Sequence, residues 1–83
     1  HGWGANKEIM RQAFGKCFPN LKHIYLDLVG FGKSTNNYIL TTYDYAKITD
    51  KFLNKIGINP QNSIIVGHSF GGKVATLLNP TKL

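Results

Sequence analysis

The sequence predicts an α/β fold in which parallel strands are flanked by helices. Its periodic segments alternate as loop, helix, strand, helix, strand, helix, the order expected when strands of one sheet are joined by helical crossovers. Its two strand-like runs, residues 23–29 and 63–66, are mostly apolar and do not strictly alternate, as in strands covered on both faces. A Gly-x-Ser-x-Gly turn stands between the second run and a helix-compatible segment.

Each element follows from its own residues. Residues 1–4, His-Gly-Trp-Gly, read as a loop. Ile9, Met10, Ala13, Phe14 and Cys17 recur at helical spacing, which predicts a helix from Asn6 as N-cap to about Phe18, ended by Pro19-Asn20. Residues 23–29, His-Ile-Tyr-Leu-Asp-Leu-Val, form the first strand, and residues 30–37 a loop. A second helix over residues 42–56 places Tyr45, Ile48, Phe52 and Ile56 on one face, with Gly57 as its stop signal. It is long enough to serve as the crossover that parallel strands need. Asn59-Pro60 makes a turn, residues 63–66 the second strand, and residues 70–78 the third helix.

The chain has 83 residues, room for one small domain. Two doubly covered strands are hard to bury in so short a chain, and it begins at His1 and ends just past the third helix. It therefore reads as a piece of a larger protein. Cys17 is the single cysteine, so no internal disulfide or cysteine metal cluster is expected, and its place in the amphipathic pattern predicts a core thiol. The net charge is +6. The basic residues are scattered, and Lys47, Lys51 and Lys55 make the solvated stripe of an amphipathic helix, so no nucleic-acid partner is expected. No apolar stretch is long enough to span a membrane, and no signal peptide is visible. The default location is cytoplasmic.

The chemistry concentrates at Gly67-His68-Ser69-Phe70-Gly71-Gly72. A turn that pushes a serine hydroxyl out at the end of a sheet forces strained dihedrals on the serine. It also brings the chain before and after the serine close together, and Gly67 and Gly71 would remove the side chains that collide there. His68 adjoins Ser69, but neighbouring side chains on a sharp turn point apart, so it is not expected to be the base. His23 reads as a satisfied or surface histidine. Asp27 reads as a structural carboxylate that accepts backbone hydrogen bonds in the Gly-rich turn after it.

Three segments together resemble the α/β-hydrolase family, and the resemblance runs from end to end. His1-Gly2-Trp3-Gly4 resembles its His-Gly loop, Asp27-Leu28-Val29-Gly30-Phe31-Gly32-Lys33-Ser34 its Asp-x-x-Gly-x-Gly-x-Ser segment, and Gly67-His68-Ser69-Phe70-Gly71-Gly72 its nucleophile elbow. Val29 stands where the family often has Arg or Pro. The resemblance implies that Ser69 is a nucleophile forming an acyl-enzyme, and that the backbone N–H groups of Trp3 and Phe70 form the oxyanion hole. Gly67, His68, Gly71 and Gly72 would support the elbow, and His1 and Gly2 the loop beside it. The implied substrate is a small molecule with an ester, thioester or related carbonyl bond, and the family's carbon–carbon bond hydrolases share the same features. Ser69 argues against the branches with an aspartate nucleophile. No metal or organic cofactor is implied.

The family's acid and histidine follow the nucleophile in the chain, yet no Asp, Glu or His follows Ser69. Residues 1–83 are thus expected to be the central part of a single domain, without its first strands, cap, acid and base segments, and to show no more than trace activity alone. The resemblance also places a further strand between residues 23–29 and 63–67. Their unpaired edges predict association with the remainder of the parent or self-association.

Two other readings compete. One is a non-catalytic hydrolase remnant serving as an interaction piece. The other is a phosphate-binding P-loop. Gly32-Lys33-Ser34 fits its end, but the first glycine would have to fall at Asp27; Gly67 to Lys73 fits better but meets Val74 where a hydroxyl should bind magnesium.

Overall fold

Asn6 opens the first helix in the computed structural model, which describes residues 1–36 and 38–78. Helix α1 spans Lys7–Phe14. The Asn6 side chain accepts the Glu8 N–H at 3.0 Å, the bond an N-cap supplies to an otherwise orphaned donor. The helix stops well before the expected residue 18. Gly15 is a weak helix former, and Phe18 has φ 47°, which a right-handed helix cannot accommodate.

No residue of α1 is buried, and Ile9 is 53% exposed. Cys17 is exposed as well, against the expectation of a core thiol. The apolar periodicity is present, but no comparable neighbour packs on that face among the described elements.

Helix α2 spans Thr42–Lys55 and starts on a capping box. Thr41 Oγ1 accepts the Asp44 N–H at 3.1 Å, and the Asp44 carboxylate accepts the Thr41 N–H at 2.9 Å. The chain leaves the helix through Gly57 at φ 81°. Its buried residues are Tyr45, Ala46 and Thr49. Of the predicted face only Tyr45 is buried, while Ile48, Phe52 and Ile56 are exposed. Ala46 and Thr49 are small enough to admit a neighbouring helix, and α3 lies on that side. Lys47, Lys51 and Lys55 are all exposed.

A short 3-10 turn, Pro60–Asn62, follows, and helix α3 spans Phe70–Leu78. Among the described residues there is no strand. Residues 22–28 and 64–68 carry no regular structure, and parallel strands are therefore not seen. A strand exists only through a ladder with a neighbour, and these segments do not pair with one another. Burial still records layering: Asp27 and Leu28 are buried, whereas in 63–66 half-buried Ser63 and Ile65 alternate with exposed Ile64 and Val66.

The core is Leu28, Tyr45, Ala46 and Val74, with Leu26, Val29, Phe31 and Phe70 packed against it. Val74 is 2% exposed, and burial of such a side chain is worth about 1.5–3 kcal/mol. This core joins residues 26–31 to both long helices and lies beside the start of α3.

Candidate active site at the Ser69 turn

Ser69 precedes α3 with φ 55°, in the left-handed region that side chains other than glycine rarely adopt. Such a conformation costs about 1–2 kcal/mol. The turn is as tight as its glycines suggest. A Cβ on Gly67 would lie 2.5 Å from the Gly71 carbonyl oxygen and 2.7 Å from Gly72 Cα. Gly71 has a different neighbour from the one expected: a Cβ there would lie 2.6 Å from the His1 carbonyl oxygen and 2.7 Å from the His1 nitrogen. Gly67 admits the crossing of the chain over itself, and Gly71 admits the main chain of the residue 1–4 loop.

The turn leaves polar groups uncommitted. Ser69 is exposed, and its hydroxyl has no hydrogen-bond partner among the described residues. The Gly71 N–H donates to His68 O at 3.0 Å, and those of Gly72 and Lys73 donate to Ser69 O at 3.0 and 3.3 Å. The Phe70 N–H, first in the helix, has no acceptor among the described residues. No acidic side chain occupies the first turn of α3, so the positive end of the helix dipole near Ser69 is not offset there.

The residue 1–4 loop lies against this turn. A Cβ on Gly2 would sit 3.7 Å from both Ser69 Cβ and His68 Nδ1. The Trp3 N–H has no acceptor among the described residues. Its indole meets the Phe70 ring edge-on at 5.1 Å and the Phe31 ring at 4.8 Å. His1 is buried and both its ring nitrogens are engaged: Nδ1 donates to Gly2 O at 2.9 Å, and Nε2 accepts the Leu28 N–H at 3.0 Å. His23 is similarly engaged, by Tyr25 Oη at 2.8 Å and Phe18 O at 3.1 Å. Neither has a nitrogen free to act as a base toward Ser69. His68 is exposed on the turn itself.

Asp27 organises the neighbouring loop. Its carboxylate accepts from Lys7 N at 2.7 Å, Lys7 Nζ at 2.6 Å and Lys33 N at 3.1 Å, while its carbonyl accepts from Ser34 Oγ at 2.8 Å. Burial works to raise its pKa, but the hydrogen bonds from Lys7 and Lys33 and the Lys7 charge outweigh it and hold the pKa down at about 2. The Lys33 amide and Ser34 hydroxyl that a phosphate cradle would need are thus already taken. Among the described residues no cluster of three or more His, Cys, Asp or Glu could hold a metal ion.

Residues 1–79 match the family described as alpha/beta hydrolase fold. The chain belongs to that family. This α/β-hydrolase chain is 34% identical over its whole length to a pimeloyl-[acyl-carrier protein] methyl ester esterase of Pseudoalteromonas atlantica, covering 32% of that protein. It is 36% identical over 92% of its length to the esterase of the same name from Wigglesworthia glossinidia brevipalpis, and 32% identical over 92% to that of Photorhabdus laumondii, covering 27% of each. The chain spans about a third or less of these curated relatives. No solved structure matches it.

In this α/β-hydrolase chain the sequence points to Trp3 and Phe70 but not to Phe31 and Tyr45, which complete an aromatic cluster beside Ser69. One signal was available for Phe31, a large apolar residue between two glycines in a polar loop. Tyr45 gave none beyond its place in a helical stripe.

Proposed function

We propose that the protein carrying this chain hydrolyses carboxylic esters through an acyl-enzyme on Ser69. The observation that supports this most is the strained, exposed Ser69 with an uncommitted hydroxyl at the start of α3. In this reading Ser69 Oγ attacks the acyl carbon and loses its proton to a base. The carbonyl oxygen becomes an oxyanion stabilised by the Trp3 and Phe70 N–H groups, the alcohol leaves with a proton, and water then releases the acid. Both amides lack other acceptors among the described residues, as donors reserved for a substrate would.

Residues 1–83 are read as the central part of the domain. The catalytic histidine and its orienting acid are assigned to segments outside them, since His1 and His23 are hydrogen-bonded elsewhere and His68 adjoins Ser69 on a sharp turn, where neighbouring side chains point apart. By likeness to the relatives, the favoured substrate is a methyl ester of an acyl chain. The Trp3 and Phe70 rings would give such a chain an apolar wall.

A fluorophosphonate probe applied to the protein encoded by the complete reading frame tests the proposal. Stoichiometric labelling at Ser69, abolished in Ser69→Ala, is the expected result. A folded protein that stays unlabelled is a non-catalytic remnant, and the proposal fails. Residues 1–83 alone should show no more than trace turnover of p-nitrophenyl acetate.

A further inference from the structure

Trp3 and Phe70 come from opposite ends of the described chain, and no backbone hydrogen bond joins residues 1–4 to residues 69–72. Their relative placement depends on packing. Tyr45 is the buried ring in contact with both. It is 4% exposed, and it meets Phe70 edge-on at 5.0 Å and Trp3 at 6.1 Å. It also lies 6.4 Å from Phe31, which in turn supports Trp3 at 4.8 Å. Trp3 itself is 66% exposed, so this cluster is what restrains its indole. Tyr45 stands in the first turn of α2, which the Thr41–Asp44 capping box fixes in place.

We propose that Tyr45 is a positioning residue for the Ser69 site, setting the separation of the two residues whose amides would receive the oxyanion. The inference rests on the proposed roles of Ser69, Trp3 and Phe70. The contact is made by the ring. The phenol has no hydrogen-bond partner among the described residues, so phenylalanine should serve as well. An aliphatic side chain would fill the volume but lack the edge-on contacts, which orient aromatic neighbours. Loosening two donors by a fraction of an ångström acts mainly on the transition state, because substrate binding does not depend on the oxyanion.

The test uses the protein from the complete reading frame, with p-nitrophenyl butyrate as substrate and an alkyl trifluoromethyl ketone as tetrahedral-adduct inhibitor. Tyr45→Leu should lower kcat about tenfold or more, leave KM within about threefold, and weaken the ketone in parallel with kcat. Tyr45→Phe should restore all three values to within about twofold of the parent. If Tyr45→Leu does not fold by circular dichroism, Tyr45→Met takes its place with the same expectation. A folded aliphatic variant that keeps its kcat and only melts earlier overturns the proposal, as does a Tyr45→Phe loss equal to that of Tyr45→Leu. Wild-type protein without Ser69-dependent turnover overturns this inference together with the function it rests on, whereas failure of the Tyr45 variants alone leaves that function standing.

Discussion

Gly67→Ala offers the sharpest test of the turn geometry. The added methyl would stand 2.5 Å from the Gly71 carbonyl oxygen and 2.7 Å from Gly72 Cα. Both obstacles are main chain, so no side-chain rotation relieves the clash. Reaching ordinary contact requires the two passes of the chain to separate by roughly 1 Å, and overpacking of this kind costs about 1–3 kcal/mol. The same displacement falls on Ser69 and the Phe70 N–H, and a misplacement of about 1 Å can cost on the order of a hundredfold in rate. The expected outcome is a kcat about a hundredfold lower, slowed fluorophosphonate labelling and a depressed melting temperature. Gly72→Ala supplies the contrast. Its nearest neighbour would be at 3.5 Å, an ordinary contact, and alanine favours a helix over glycine by up to about 1 kcal/mol, so its stability should hold or rise. Stopped-flow and steady-state ester hydrolysis, with thermal melts of both variants, decide the matter. A Gly67→Ala protein within threefold of the parent kcat would refute the reasoning that this crossing sets the position of Ser69.

Two further predictions concern strain and charge. Ser69→Gly removes the left-handed penalty and should raise thermal stability by up to about 1 kcal/mol while abolishing turnover; Ser69→Ala should abolish turnover without that gain. Asp27→Asn keeps the shape but loses the charge and should destabilise by about 1.5–3 kcal/mol at neutral pH, as read from denaturant midpoints. The Asp27 pKa of about 2 lies below its ordinary 3.8, so its stabilising contribution is complete above that ordinary value and is lost as pH falls toward 2. The parent's midpoint should therefore drop across that window, and the variant's should change less.

Local signals were legible in the sequence, and neighbours were not. Asn6 as a cap, Gly57 as a stop and the limits of α3 depend on a few adjacent residues, and each is found where the residues place it. Burial depends on what packs against a face. Cys17 and Ile9 stand in an amphipathic pattern yet face outward, and α2 buries Ala46 and Thr49 where the stripe suggested Ile48 and Phe52. The strands are the extreme case, since a ladder needs a second segment and apolar runs alone do not supply one. At the turn, the motif announced the crossing at Gly67, but nothing in it told that Gly71 seats His1 or that Tyr45 lies beside Phe70.

The seat at Gly71 ties the loop of residues 1–4 to the first turn of α3, because the His1 main chain occupies the space a side chain would take. The imidazole of the same residue caps the Leu28 N–H. Three stretches remote in sequence are therefore expected to unfold as one cooperative unit and not by independent fraying. In native-state hydrogen exchange the Leu28 amide and the amides of Gly71 and Gly72 should share one opening free energy, and a lesion at any of the three places should lower protection at all of them.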